Sequence, residues 1–165
     1  MSLEVRALRG EQEALECAQW MARSEPWITL GRGVESALRL FAIQTKEVWV
    51  AEDVHGPQGL IVLDLSGPLP GYIQAICVRP EARGRGIGTE LIRFAEQRVF
   101  QRSPNLFLCV SSFNHSARRF YAQLGYEVVG TLKDFLVAGQ DEILLRKTLG
   151  PWTDFRRGLR PPSDR

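Results

Sequence analysis

The chain has 165 residues, 44% of them hydrophobic and 24% charged, which suggests one domain long enough to bury a real core. Its net charge of +2 arises past residue 150, where Arg156, Arg157, Arg160 and Arg165 outweigh Asp154 and Asp164. The balanced remainder argues against nucleic acid as a partner. No apolar run is long enough to cross a membrane, the N-terminus lacks a secretory pattern, and Cys17, Cys77 and Cys109 fit no metal-binding spacing. The expectation is a cytoplasmic protein with reduced thiols, no metal and no membrane association, acting as a monomer or homodimer.

In chain order, residues 3–8 alternate as a first strand, and residues 11–22 form a helix with acidic residues at its start. Ser24-Glu25-Pro26 ends it, and an irregular stretch through Gly33 leads to a second helix over 35–45. Strands follow at 47–52, 59–65 and 72–78, joined by short turns, so they form an antiparallel meander. A helix over 89–102 stops at Ser103-Pro104. The fifth strand, 105–111, lies parallel to the fourth because a helix intervenes. Asn114 caps a helix over 115–124, closed by Gly125, with Ala117, Phe120, Tyr121 and Leu124 on one face. Strands at 127–137 and 141–149 close the domain, 1–150. Residues 151–165 form a basic tail of a composition that rarely orders alone.

One run organises the rest: Arg83-Gly84-Arg85-Gly86-Ile87-Gly88, between the fourth strand and the following helix. Glycines allow main-chain N–H groups to approach a ligand without a Cβ in the way. A helix start supplies unpaired donors and a partial positive charge. The two arginines add charge-assisted donors. A pyrophosphate is the simplest ligand for such a loop. The dinucleotide fingerprint G-x-G-x-x-G fails, because Thr89 stands where its third glycine is required, and no Gly-Lys-Ser/Thr is present.

The loop resembles, at every specified position, the Arg/Gln-x-x-Gly-x-Gly/Ala motif of the GNAT superfamily of N-acetyltransferases. Val78-Arg79-Pro80 before it and Leu91-Ile92 after it are similar to that family too. Asn114, Ala117 and Tyr121, followed by Leu124-Gly125-Tyr126, resemble its second signature at the usual separation. The resemblance covers roughly 72–126 and is nearest to the enzymes that acetylate the N-termini of ribosomal proteins. It implies an α/β (α+β) fold with a mixed central sheet of about seven strands, antiparallel strands 1–4, parallel strands 4 and 5 splayed around the cofactor, and about four helices. It also implies acetyl-CoA as cofactor and transfer of the acetyl group to a primary amine: a protein N-terminus, a lysine or a small molecule.

Carried onto this chain, the resemblance puts pantetheine along the main chain of Ile76, Cys77 and Val78, as an added strand. It puts the pyrophosphate on Arg83, Gly84, Arg85, Gly86, Ile87, Gly88 and Thr89. Asn114 and Ala117 fall beside pantetheine, and Tyr121 becomes the acid at the leaving thiolate. A phenol of pKa about 10 facing a thiolate of about 8.5 gives proton transfer uphill, so hydrogen-bond donation to sulfur counts as much as full transfer. Where the ribosomal-protein enzymes carry a glutamate on strand five, this chain has Cys109. Candidates for the base are Glu47, Glu52, Gln74, Ser111 and His115, or a water chain. Pro26-Trp27 resembles a pair found in N-terminal acetyltransferases, and Trp27, Arg32, Tyr72 and Phe135 are candidate walls of the acceptor site. An arginine there suits an acceptor bearing a carboxylate or phosphate. The rival reading is a catalytically silent acyl-CoA-binding sensor of the same fold.

Overall fold

The structure, a computed structural model, describes residues 3–158. Two compact units divide the chain: residues up to Asp64 with Ile73–Ala95, and Leu65–Tyr72 with the residues from Glu96 onward.

The first unit carries β1 (Glu4–Ala7), α1 (Gly10–Ala22), α2 (Val34–Phe41), β2 (Lys46–Asp53), β3 (Gly56–Asp64), most of β4 (Tyr72–Val78) and the first turns of α3 (Ile87–Val99). Its strands run in the order β1-β2-β3-β4. The β1–β2 and β2–β3 ladders are antiparallel, as the short turns require. Leu60, Ile61, Val62 and Leu63 are all fully buried, so both faces of β3 are covered. On one side Leu60 and Val62 join Cys17, Ala18, Trp20, Met21, Trp27, Ala37, Val50 and Cys77 in a single core. Burying each large aliphatic side chain contributes about 2 kcal/mol.

Several boundaries differ from the sequence expectation: β3 begins at Gly56 rather than 59, α3 ends at Val99 rather than 102, and two further differences have a physical reason. The second helix stops at Phe41, four residues early: the Ile43 N–H turns to Leu40 O and the Lys46 N–H to Ile43 O, which leads the chain into β2. The third helix starts at Ile87 rather than Thr89, because Gly86 turns the chain at φ 81° and its carbonyl already accepts the Glu90 N–H at 3.1 Å. Gly88 therefore lies inside the helix.

The second unit carries β5 (Asn105–Ser111), α4 (His115–Gln123), β6 (Glu127–Val137), β7 (Gln140–Thr148) and a short α5 (Trp152–Arg156). Its strands run β5-β7-β6, antiparallel throughout. The chain leading into β4 also belongs here. The Phe107 N–H donates to Gly71 O at 2.8 Å, and the two segments run parallel, which gives the mixed sheet expected. A side chain at Gly71 would force its neighbours to shift: a Cβ there would lie 2.5 Å from Asn105 O and 2.6 Å from Val99. Leu106, Leu108 and Val110 point to the core side of β5 with Ile143 and Leu145 of β7. The helix α5 was not expected from the tail's composition. Pro151 opens it, and the Trp152 and Phe155 rings meet edge to face at 5.7 Å.

Candidate functional site

The loop between β4 and α3 is built as a main-chain cradle. After a single 3₁₀ turn over Pro80–Ala82, Gly84 and Gly86 adopt φ 75° and 81°, which other residues rarely do. A Cβ at either glycine would meet nothing within 4 Å, so the space over the loop is open. The first bond of the α3 ladder is Glu90 N–H to Gly86 O, so the N–H groups of Ile87, Gly88 and Thr89 precede the ladder. With the positive end of the helix, these donors suit a phosphate. Ile87 is buried and pins the helix start, while Gly88 and Thr89 are half-buried. Beneath it, Gly59 of β3 admits the helix closely: a Cβ there would lie 3.1 Å from Ile87 and 3.2 Å from Leu91.

Both loop arginines are turned to the protein. Arg83 donates through Nη2 to the Ser24 hydroxyl at 2.9 Å and through Nε to Val78 O at 3.3 Å. Ser24 is itself buried and donates to Trp20 O at 2.7 Å, past the end of α1. Arg85 pairs with Asp53 at 3.1 Å, and the same carboxylate accepts from the His55 N–H at 2.8 Å and Gln58 Nε2 at 3.0 Å. The His55 N–H and then Arg85 hold the Asp53 carboxyl below its usual range, against a desolvation cost. Ser24, Asp53 and Gln58 thus act as anchors for the loop. Sequence reading missed them because Ser24 marks a helix end and Asp53 a hairpin turn, and neither spacing points to residue 83 or 85.

Ile76 and Val78 are half-buried on β4, and Cys77 is buried with its thiol 3.9 Å from the Ser24 hydroxyl. Burial pushes that thiol up, opposed by Ser24 and Arg83.

In the second unit, Asn114 caps α4: its side-chain oxygen accepts from the Ala117 N–H at 3.3 Å and the Ser116 hydroxyl at 3.2 Å. The Asn114 N–H donates to Ser111 O at 2.9 Å, which fixes the turn out of β5. Gly125, at φ 86°, closes the helix, and the Tyr126 N–H returns to Tyr121 O at 3.0 Å. Tyr126 is held in turn by Glu96, which also pairs with Lys147 at 2.8 Å. Tyr121 is clamped edge-on between Phe120 at 5.2 Å and Tyr126 at 5.7 Å. It is 5% exposed, burial alone pushes its phenol up, and its hydroxyl makes no side-chain hydrogen bond among the described residues.

Of the four candidate wall residues, Trp27 and Arg32 belong to the first unit and Tyr72 and Phe135 to the second. Trp27 sits in the core of the first unit with Arg32 5.8 Å over its ring. Phe135 is 55% exposed on β6, in the second unit. Tyr72, at the start of β4, bonds to Cys109 through both the thiol and the main chain. Of the base candidates, Glu52 is engaged by Arg6 at 2.7 Å and Glu47 accepts from Trp49 Nε1 at 3.0 Å. Gln74 and His115 are exposed. Ser111 is buried and donates to Glu142 at 2.6 Å. Glu142 itself was missed, because its partner is 31 positions away. Among the described residues no group of three or more His, Cys, Asp or Glu is placed to hold a metal, and no helix is long and apolar enough to cross a membrane.

The chain thus carries a helix-start cradle after β4 and, in its second unit, a capped helix after β5 with a buried tyrosine. The model of the acetyltransferase (GNAT) family matches residues 13–126, and the chain belongs to that family. It is 37% identical over 79 residues to an uncharacterized N-acetyltransferase of Methanocaldococcus jannaschii, covering 47% of this chain and 51% of that one. It is 31% identical over 96 residues to the N-alpha-acetyltransferase RimI of Mycobacterium tuberculosis, covering 58% of this chain and 60% of that one. The matched region thus spans only about half of these curated relatives. A crystal structure of an aminoglycoside 6'-N-acetyltransferase complexed with coenzyme A has a TM-score of 0.73 at 18% identity, covering 92% of this chain and 98% of that one.

Proposed function

We propose that this protein transfers the acetyl group of acetyl-CoA to a primary amine by direct attack in a ternary complex. The observation that carries the reading is the Gly84–Thr89 cradle, with open space above both positive-φ glycines and the helix start behind it. It fits a pyrophosphate, and coenzyme A bound to a neighbour of the same fold supports that ligand. Bound acetyl-CoA supplies an activated acetyl group as a thioester. The chain's part is to bind, orient and move protons. The N–H groups of residues 84–89 hold the phosphates while Arg83 and Arg85 keep the loop in shape. Asn114 orients α4. The Tyr121 hydroxyl donates to the leaving sulfur, and because burial raises its pKa, it acts by a strong hydrogen bond more than by complete proton transfer.

Two acceptor classes are supported by relatives: a protein N-terminus by the relative named as an N-alpha-acetyltransferase, and a small-molecule amine by the aminoglycoside enzyme. The test is a panel of free-N-terminus peptides, lysine peptides and aminoglycosides with acetyl-CoA, read by thiol release and product mass. Release matched by acetylated product is expected for one class. Acetyl-CoA binding without turnover of any amine would instead make the chain a silent acyl-CoA sensor.

A further inference from the structure

The two faces of β5 differ. Leu106, Leu108 and Val110 are at most 5% exposed on the core face, while Phe107 and Cys109 on the other face are only half-buried. That second face ends in an unusual pair. Ser111 is 1% exposed and Glu142, its direct cross-strand partner on β7, is 3% exposed. The serine hydroxyl donates to Glu142 Oε1 at 2.6 Å. Burying a carboxylate is costly, and a Ser–Glu pair gains less from packing than two apolar residues would. Core packing therefore does not account for it. The pair also sits beside the second motif, since the Ser111 carbonyl holds the Asn114 N–H that starts α4.

Resting on the acetyltransferase reading above, we propose that Glu142 takes the proton released by the acceptor amine, with the Ser111 hydroxyl as relay. The amine N–H proton passes, directly or through water, to Ser111 Oγ as the Ser111 proton passes to Glu142 Oε1. The amine lone pair is freed to form the C–N bond, and Glu142 ends as a neutral acid that later loses its proton to solvent. This fills the role left open where Cys109 replaces the glutamate of the ribosomal-protein enzymes. Tyr72, at the start of β4, and Cys109 on β5 are titratable groups that feel the carboxylate. Burial chiefly, with Glu142 adding to it, keeps both protonated and neutral at pH 7, so neither competes as base. From β6, the residue opposite Glu142 is the apolar Leu132.

The experiment is the pH dependence of turnover, on the amine found by the acceptor panel, for wild type, Glu142→Gln and Ser111→Ala, with acetyl-CoA affinity measured by calorimetry. Glu142→Gln keeps the shape and an oxygen for the serine. It is expected to lower kcat about 10²-fold near pH 7, with the deficit shrinking as pH rises and solvent base takes over, and with acetyl-CoA affinity unchanged. Ser111→Ala is expected to lose about tenfold with the same pH trend. Wild-type kcat in Glu142→Gln, or a deficit equal at every pH, would overturn the proposal while leaving the acetyltransferase reading intact. If Glu142→Gln fails to fold, Ser111→Ala decides by the same criterion. Absence of turnover in the wild type would instead sink the reading on which the proposal rests.

Discussion

The phosphate cradle and the Tyr121 helix solve opposite problems. On the proposed reading the cradle binds through main-chain groups, and its two arginines face inward: Arg83 to Ser24, Arg85 to Asp53. On that same reading the helix works through one side chain, Tyr121, with Asn114 at one end, Gly125 at the other, and Phe120 and Tyr126 in edge contact with its ring. The difference teaches where a substitution hurts. In the cradle, adding atoms is expected to harm binding, and a change of charge to act through shape. On the helix, removing one oxygen is expected to suffice.

The largest effect that tests this contrast comes from Gly86→Val. No atom stands within 4 Å of the added Cβ, so the chain keeps its fold apart from backbone strain of about 1–2 kcal/mol at positive φ. Acetyl-CoA affinity should fall at least 10²-fold by calorimetry, because the methyls take the phosphate's place. Unchanged affinity would put the ligand elsewhere.

Arg83 sharpens the comparison. If it is a tether rather than a phosphate ligand, Arg83→Lys loses the two-point bond to Ser24 and Val78 and behaves like Arg83→Ala, each weakening acetyl-CoA about tenfold. A lysine variant with wild-type affinity and wild-type salt dependence would show that charge, not shape, is what Arg83 supplies.

Asn114→Ala removes the cap of α4 and should cost about 1 kcal/mol in denaturant unfolding, since the Ala117 N–H loses its acceptor. A stability loss near zero would mean that the helix end is held by tertiary packing alone.

Asp53→Asn should have the smallest effect, a loss of about two- to fivefold in affinity, because the amide still accepts from His55 and Gln58 but no longer holds Arg85 as an ion. Its pH behaviour has a definite sign. The Asp53 pKa is depressed in the folded protein, so the contribution of the charged tether is complete above the ordinary aspartate value of about 3.9 and is lost as pH falls below it. Wild type and Asp53→Asn should therefore differ by a constant factor from pH 5 to 8. A difference that vanishes within that window would show that another group is titrating.

Much of this was legible in the sequence, because the informative patterns are local. The strands at 72–78, 105–111 and 127–137 stand where period and turns placed them. The glycine cradle and the Asn114 cap are encoded within a few residues of the groups they serve. What was not legible depends on pairing across long separations. Ser24 meets Arg83 at 59 positions' distance and Asp53 meets Arg85 at 32. The register that sets Ser111 against Glu142 is fixed by the whole β5–β7 ladder. Trp27, a candidate wall residue, packs in the core of its unit.

The central claim is that the Tyr121 hydroxyl acts on the leaving sulfur and does little else. The direct measurement is kcat and acetyl-CoA affinity for wild type and Tyr121→Phe, which deletes one oxygen and leaves the ring between Phe120 and Tyr126. The account predicts a fall in kcat, and in kcat/KM with it, of about 10²-fold or more at unchanged acetyl-CoA affinity, because the bond is made only as sulfur departs. Equal turnover in the two proteins would contradict it and reduce Tyr121 to a packed aromatic.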